Sequence, residues 1–173
     1  MAKKKEDRPA QEELDQNKYC PQVKVKRLCP EAKLPTRNHD AAGLDLFVTS
    51  ICPVSGSSGT VLDGHKEVVC QANRVYKACT GIAVEPPTGY FGMIKPRSGL
   101  SLKNGLMVGG GVVDADFRGE VAVIFTVENA LTIRAGDRIA QLVLLPYLDV
   151  AVVEAEELSE TKRGEQGYGS SGK

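Results

Sequence analysis

Short apolar runs, broken by glycine, proline, asparagine and aspartate, fill the chain from Val23 onward. The runs read VKVKRL, GLDLFV, KEVVC, KACTGIAV, YFGMI, MVGGGVV, VAVIFTV, RIAQLVLL and VAVV. Within VAVIFTV, the residues Val121, Val123, Phe125 and Val127 recur with a period of two, which is typical of a strand with one buried face. No window sustains the 3.6-residue period of a helix. The pattern therefore predicts an all-β chain, closed on itself as a barrel or sandwich.

Three segments fall outside this pattern. Residues 1–20 are charged and poor in branched apolar side chains, which predicts a disordered arm. The segment VSGSSGTVLDGH, at 54–65, is typical of a surface loop between strands. The last segment, RGEQGYGSSGK at 163–173, matches part of a phosphate-binding loop pattern, but that loop needs a strand before it and a helix after it. Composition alone predicts a solvated tail.

Length and charge restrict the class of protein. The 173 residues are enough for one domain with its own core. Twenty-two basic residues balance twenty-two acidic ones, so no basic field favours stable binding to nucleic acid or membrane. No apolar run approaches the roughly 20 residues of a membrane span, and the first residues lack the apolar stretch of a secretory signal. We expect an intracellular protein, cytoplasmic or nuclear.

The cysteines and histidines argue against several kinds of site. Five cysteines are odd in number and never form a C-x-x-C pair, which favours reduced thiols over disulfides or a zinc site. His39 and His65 lack metal-ligand spacing and stand far from any serine or cysteine in a nucleophile-like context. Carboxylate and phosphate chemistry remain.

Two glycine-containing segments carry residues suited to that chemistry. In GGGVVDADFRGE, at 109–120, three glycines let the backbone approach a flat ligand and Asp114 follows an apolar strand. A β-turn built on aspartate and glycine is the alternative. In KPRSGLSLKNG, at 95–105, Arg97 and Ser98 can donate to phosphate oxygens, or the segment can be an ordinary loop with one surface arginine.

Two apolar segments each contain a charged residue. Asp45 stands between two leucines in AAGLDLF, where a carboxylate needs a partner or a metal unless it points outward at a barrel rim. Arg138 and Gln141 interrupt the strand GDRIAQLVLLP, and Arg138 suits a structural ion pair as well as a ligand contact.

Five segments together resemble a known family. They are AAGLDL, PRSGLSLKNG, GVVDADFRGE, DRIAQLVLLP and RGEQGYGSSG, and they resemble, in order and character, the five signature motifs of the trimeric deoxyuridine triphosphatases, the dUTP diphosphatases. The resemblance covers about Val23 to Gly172. Two positions depart from the usual motifs: Phe117 stands where tyrosine is common, and Gln166 replaces a glycine of the tail.

The resemblance implies hydrolysis of dUTP to dUMP and pyrophosphate, with water attacking the α-phosphorus in line. Asp114 would orient and deprotonate that water, since aspartates are ionised at neutral pH. Mg²⁺ on the triphosphate oxygens would neutralise charge, and Asp45 would hold one of the metal's waters. The implied phosphate contacts are the side chains of Arg97, Ser98, Gln141 and Arg163 and backbone N–H groups near Gly99, Ser170 and Ser171.

The resemblance also implies how the nucleotide is selected. A narrow hairpin slot would pair backbone groups with the edge of uracil and reject thymine and cytosine. The slot would be formed by Gly109, Gly110, Gly111 and the opposing residues near Ala122. Phe117 would lie under the deoxyribose and leave no room for a 2′-hydroxyl. Tyr168 would stack on uracil while the tail folds over the nucleotide and excludes water.

The family's fold is a distorted jelly-roll-like β-barrel that forms a homotrimer with a flexible C-terminal arm. One subunit would supply motifs 1, 2 and 4 of each site, the next subunit motif 3, and the third the tail. The corresponding boundaries are a disordered charged arm at 1–20, the barrel domain at 21–155, and a flexible lid with the glycine-rich motif at 156–173.

Two other functions fit the same fold. The related dCTP deaminases need a glutamate acid/base over cytosine C4, and the GGGVV hairpin offers no such carboxylate. A non-catalytic nucleotide- or protein-binding module is the other alternative, against which the retained polar residues of all five motifs argue. The arm at 1–20 and the loop at 54–65 are where a partner role would lie.

Overall fold

A computed structural model of the chain describes residues 21–53 and 67–165. Within them the backbone forms thirteen β-strands and one short α-helix, which confirms the all-β prediction. The strands are β1 Lys24–Arg27, β2 Thr36–Arg37, β3 Leu44–Phe47, β4 Ser50–Pro53, β5 Glu67–Cys70, β6 Tyr76–Cys79, β7 Ile82–Glu85, β8 Tyr90–Pro96, β9 Met107–Gly109, β10 Val112–Val113, β11 Ala122–Thr126, β12 Leu131–Arg134 and β13 Arg138–Pro146; the helix is α1 Ser98–Asn104. The predicted arm at 1–20 and loop at 54–65 lie outside the described residues.

The strands assemble into two larger antiparallel sheets and two strand pairs. The five-stranded sheet has the order β10-β8-β13-β3-β2, and the four-stranded sheet has the order β4-β6-β11-β9. The pairs are β1 with β7 and β12 with β5. Most neighbours are distant in sequence, so the chain passes repeatedly between the sheets. This arrangement brings the segments 41–47, 95–105 and 136–146 together, because β3, β8 and β13 are adjacent.

The core lies between the sheets and follows the predicted alternation. Val121, Val123, Phe125 and Val127 are buried, whereas Ile124 on the opposite face of β11 is 44% exposed. Phe125 stacks on Tyr76, with ring centroids 5.6 Å apart. The Tyr76 hydroxyl accepts a hydrogen bond from the backbone N–H of Gln71, which satisfies its polar end.

The structure divides two of the apolar runs that the sequence suggests are continuous. MVGGGVV contains two strands that belong to different sheets: β9 pairs with β11, and β10 pairs with β8. The chain changes sheets at Gly110 and Gly111, whose φ angles of 67° and 95° are accessible to glycine at little cost. KACTGIAV is likewise split into β6 and β7 by Gly81, with φ of 66°.

The prediction of a strand in VAVV, at 150–153, is wrong. These residues carry no regular structure, and Val152 is 96% exposed. A strand forms only where a neighbour completes its backbone hydrogen bonds, and no described strand lies beside this segment. The strands β2, β4 and β12 were in turn missed, because their runs are short or interrupted by polar residues.

The segment 95–105, for which an ordinary loop was the alternative interpretation, contains α1. Gly105 ends the helix in the left-handed region, with φ of 61°. Its N–H donates to the Ser101 carbonyl, and the N–H of Leu106 donates to the Leu100 carbonyl. A Cβ at this position would also collide with Glu128. The Asn104 side chain donates to the Ala130 carbonyl, which ties the helix to the start of β12.

The described cysteines and helix bear on the predictions of reduced thiols and of no membrane span. Cys29, Cys52, Cys70 and Cys79 are free thiols, and burial raises the pKa of Cys70 to about 12, so this thiol is a packed apolar group. Cys20 lies outside the described residues. The part of the chain that the structure covers contains no helix long and apolar enough to cross a membrane.

Candidate active site

A cationic cleft opens where β3, β8, β13 and α1 meet. Its volume is about 390 Å³, and it is lined by Asn38, Ala41, Gly43, Asp45, Arg97, Ser98, Gly99, Leu100, Lys103, Arg138 and Gln141. Three cations and one carboxylate give this surface a net positive charge. An anionic ligand is therefore favoured here in a chain with no net charge overall.

Asp45 is held by two arginines of the cleft. Its Oδ2 accepts a hydrogen bond from Nη1 of Arg138 at 3.0 Å, and its Oδ1 lies 3.4 Å from Nε of Arg97. The Asp45 side chain is 16% exposed, so pairing offsets much of the cost of its partial burial. The ion pair that the sequence left open for Arg138 is formed, and it fixes both guanidinium groups beside the cleft.

A β-bulge in β13 brings two of the lining residues to the same side. Residues three apart in a regular strand point to opposite faces. The pairing of β13 with β3 shifts between Arg138 and Ala140, so that one extra residue is accommodated there. Ile139 and Ala140 are consequently both buried, while Arg138 and Gln141 both line the cleft.

Of the two glycines in the cleft lining, packing requires only Gly43. A Cβ at Gly43 would collide with Oε1 of Gln141, so glycine is required for the amide to lie here. The Gln141 amide nitrogen donates to the Pro96 carbonyl at 3.3 Å and has a second N–H to offer a ligand. A Cβ at Gly99 would meet nothing within 4 Å, so packing does not require a glycine at this wall.

A second cleft, of about 320 Å³, contains five more of the predicted site residues. It is lined by Lys77, Ile94, Gly109, Gly111, Val112, Val113, Asp114, Phe117, Glu120, Val121, Ala122 and Ile124. Gly109 opposes Ile124 across the β9–β11 pair. Val112 is 61% exposed and Phe117 and Ile124 are each 44% exposed, which leaves apolar surface in the cleft that Asp114 also lines. This cleft suits a flat, largely apolar group such as a base with its sugar.

A tight turn presents Asp114 and Phe117. The Phe117 N–H donates to the Asp114 carbonyl at 3.2 Å, which closes a β-turn over residues 114–117. The Phe117 ring lies over Gly119, where any Cβ would collide with it. Aspartates do form the turn that was the plain alternative for this segment, although the nearest glycine, Gly119, lies just after it; the turn also places Asp114 and Phe117 in the lining of the cleft.

The predicted site residues thus divide into two groups within one chain. The cationic cleft contains Asp45, Arg97, Ser98, Gly99 and Gln141, and the second cleft contains Gly109, Gly111, Asp114, Phe117 and Ala122. The two linings share no residue. Gly110 lines neither cleft and serves in the change of sheets, and the exposed Arg163 is in neither lining. Tyr168, Ser170, Ser171 and Gln166 lie outside the described residues.

Sequence reasoning missed two polar residues of the cationic cleft, Asn38 and Lys103. Lys103 lies in the last turn of α1, four residues after Gly99, so the two positions share one face of the helix. The spacing becomes informative only once residues 98–104 are known to be helical. Asn38 precedes β3 in a turn that the apolar pattern does not mark.

The described residues contain no group of three or more histidine, cysteine, aspartate or glutamate side chains placed to hold a metal ion. Asp45 is the one carboxylate in the cationic cleft. A carboxylate has about four lone-pair positions, so its oxygens can accept from a water as well as from the arginines. The Asp45 oxygens therefore fit a Mg²⁺ ion that is bound to phosphate oxygens and that Asp45 contacts through a water.

Fold and clefts together define an all-β protein with a cationic cleft suited to an anion and a second, partly apolar cleft. A sequence profile of the dUTPase family matches residues 31–172. The chain belongs to the dUTPase family, and its fold is the jelly-roll-like fold of that family.

Individual relatives agree with this assignment. The deoxyuridine 5′-triphosphate nucleotidohydrolase of Corynebacterium glutamicum is 41% identical over 157 residues, covering 87% of this chain and 95% of the relative. The enzyme of the same name from Candida albicans is 38% identical over 156 residues, covering 87% and 88%. The solved dUTPase of Staphylococcus bacteriophage 80alpha with dUpNHpp superposes with a TM-score of 0.70 at 28% identity, covering 87% and 98%.

Proposed function

We propose that this protein hydrolyses dUTP to dUMP and pyrophosphate. The observation that carries the proposal is the grouping of the described motif residues into a cationic cleft and a glycine-walled slot. Related enzymes of this length are named deoxyuridine 5′-triphosphate nucleotidohydrolases, and the chain covers 95% of the one from C. glutamicum. A single chemistry, hydrolysis of a deoxyuridine triphosphate, uses both clefts.

The triphosphate is assigned to the cationic cleft. Arg97 and Arg138 keep their orientation through Asp45, so their remaining N–H groups are already directed when an anion arrives. Ser98 and Gly99 begin α1, where the first backbone N–H groups have no partner within the helix. Gln141 adds its second amide N–H, and Arg163 and the tail residues Ser170 and Ser171 would approach from outside the cleft.

Deoxyuridine is assigned to the second cleft, where Asp114 acts as the base. A water between the Asp114 carboxylate and the α-phosphorus loses its proton to the carboxylate as its oxygen bonds to phosphorus. The bond to the leaving oxygen of pyrophosphate breaks in line. Backbone groups of Gly109 and Gly111 face the edge of uracil, and the Phe117 ring lies under the deoxyribose.

Mg²⁺ is the cofactor that this chemistry requires, and when bound it neutralises charge on the phosphate oxygens. Asp45 is the residue of this chain that would accept a hydrogen bond from a water of the ion. Arg97 and Arg138 hold the Asp45 carboxylate in place. Asp45 would therefore orient the ion through that water and would not bind the ion directly.

We infer that the active protein is a homotrimer with shared sites. The two clefts of one chain share no lining residue, yet a single nucleotide must contact both sets. A site built from the cationic cleft of one subunit, the slot of the next and the tail of the third satisfies this requirement. The boundaries 1–20, 21–155 and 156–173 remain the proposed division of the chain.

A pyrophosphate-release assay with dUTP, dCTP and dTTP tests the proposed function. We expect release from dUTP alone, dependent on Mg²⁺. Ammonia release from dCTP would indicate a deaminase instead. Binding of dUTP without turnover of any of the three nucleotides would indicate the non-catalytic module.

The sugar is selected by the Phe117 ring. Replacing Phe117 by Ala removes the ring that fills the space of a 2′-hydroxyl, so hydrolysis of UTP should increase relative to dUTP. A ratio of kcat/KM values for the two nucleotides measures the change. Phe117→Tyr is the matched control and should keep the selectivity of the unchanged chain. If Phe117→Ala has the same dUTP/UTP selectivity as the unchanged chain, the ring only packs against its neighbours and does not select the sugar.

Gly43 controls the phosphate contact made by Gln141. In Gly43→Ala the new methyl group collides with the Gln141 amide, which must move out of the cleft. Because the displaced atoms end a flexible side chain, stability should change little, while KM for dUTP should rise about 10-fold, the worth of a hydrogen bond to a charged group. Steady-state kinetics measures this effect. Gln141→Ala should show the same increase, and the double variant should be no worse; additive losses would contradict the mechanism.

A further inference from the structure

Arg118 lies directly behind the turn that presents Asp114 and Phe117. Its Nη1 donates to the Ala115 carbonyl at 2.8 Å and to the Phe117 carbonyl at 2.9 Å. Both carbonyls belong to the turn, since Ala115 is its second residue and Phe117 is its last. One guanidinium group therefore joins two points of the backbone between the proposed base and the proposed sugar contact.

The guanidinium is in turn anchored on a different strand. Arg118 Nε lies 3.8 Å from Oε2 of Glu85, the last residue of β7. Oε1 of Glu85 accepts from Nζ of Lys24 at 2.8 Å, across the β1–β7 pair. The hydrogen bond from Lys24, followed by the charges of Lys24 and Arg118, lowers the pKa of Glu85, so this anchor stays ionised at neutral pH.

The C-terminal side of the same loop has its own attachments. Oε1 of Glu120 accepts from the backbone N–H of Gly81 at 2.7 Å, and the buried Thr80 hydroxyl donates to the Val121 carbonyl. These bonds fix the loop where β11 is about to begin. Between Val113 and Glu120, Arg118 is the side chain that links the turn to another strand in the described structure.

We propose that Arg118 is a positioning residue for the reaction: it holds the turn so that Asp114 and Phe117 keep their places. This inference rests on the proposed function. Arg118 acts through the backbone and is assigned no contact with nucleotide. Exposed ion pairs contribute little to global stability, and the Arg118 side chain is 53% exposed. Loss of the guanidinium should consequently affect the geometry of the turn more than the folding of the chain.

Kinetics of Arg118→Gln on dUTP and UTP tests the proposal. Misplacing a reacting group by a fraction of an ångström has large kinetic effects, so kcat should fall about 10-fold, with a smaller change in KM. Selectivity for dUTP over UTP should fall in the same variant, because the turn also carries Phe117. Arg118→Lys keeps the positive charge and the N–H donors on a side chain of different shape, so it should recover part of both losses.

Arg134→Gln provides the matched control. Arg134 also forms an exposed ion pair across two strands, at 2.9 Å from Glu67, but lines neither cleft. Its variant should keep the kinetics of the unchanged chain. Glu85→Gln leaves the turn intact and removes only the anchor, so it should show a smaller loss in the same direction even if Arg118→Gln folds poorly.

The outcomes separate this inference from the proposed function. In one outcome, the unchanged chain and Arg134→Gln hydrolyse dUTP, and Arg118→Gln and Glu85→Gln have the same kcat and the same selectivity for dUTP over UTP. That outcome overturns the positioning role of Arg118 and leaves the proposed function in place. If the unchanged chain does not hydrolyse dUTP, the proposed function fails and the inference fails with it.

Discussion

Replacing Asp114 by Asn should lower the turnover of dUTP by about 100-fold or more, the range expected for loss of a general base. The amide has the shape of the carboxylate but cannot accept the proton of the attacking water. The backbone of the turn is held by its own Phe117 to Asp114 hydrogen bond and by Arg118, so the variant should fold and bind nucleotide. Single-turnover kinetics with dUTP measures the chemical step directly.

Asp116 provides a matched control for this substitution. It lies in the same turn, two residues further on, and is not among the residues that line the second cleft. Asp116→Asn should therefore retain most of the activity. A rate near that of the unchanged chain in Asp114→Asn, with nucleotide affinity preserved, would assign the base to another residue.

Deletion of residues 163–173 should abolish most turnover while leaving the fold intact. The segment contains no branched apolar side chain, so it buries little apolar surface. The last strand ends at Pro146, and the deletion removes no helix or strand of the described structure. The family profile nevertheless extends to residue 172, across the whole glycine-rich motif.

Two losses combine in the truncated chain. Arg163 would no longer neutralise the leaving pyrophosphate, and the tail would no longer exclude water from the bound nucleotide. Turnover should fall by at least about 100-fold, the cost of removing one transition-state donor, with a nearly unchanged thermal midpoint. Tyr168→Ala should mainly weaken nucleotide binding, by the roughly 1–3 kcal/mol of base stacking, and Tyr168→Phe is its silent control. Full activity after truncation would restore the interpretation of a solvated tail.

Much of this architecture can be predicted from the chain alone, because strand alternation is a local property. The period of two in VAVIFTV determines which side chains are buried, and the structure buries Val121, Val123, Phe125 and Val127. The order of the five motifs is equally a property of the sequence, and it indicates the family that the profile confirms. Chemical residue types suffice to nominate Asp114, Arg97 and Asp45, since few other groups bind phosphate or accept a proton at neutral pH.

Other features depend on which strands become neighbours. Apolarity suggests a strand at 150–153, but a strand needs a hydrogen-bonding neighbour, and the described chain provides none there. Periodicity treats MVGGGVV as one element, whereas Gly110 and Gly111 carry the chain from one sheet to the other. The short helix α1 has no periodic signature over its seven residues, so its end at Gly105 and the role of Lys103 appear only with the fold.

The sequence by itself determined the fold class, the family and the types of residue at the site, since these follow from local alternation and motif order. The tertiary structure decided where those residues point. The bulge in β13 places Arg138 and Gln141 on one side, and β3 brings Asp45 between Arg138 and Arg97. These relations join residues up to 93 positions apart in the chain. Local propensity carries no information about such distant pairings, because they arise from strand register and the packing of one sheet on another.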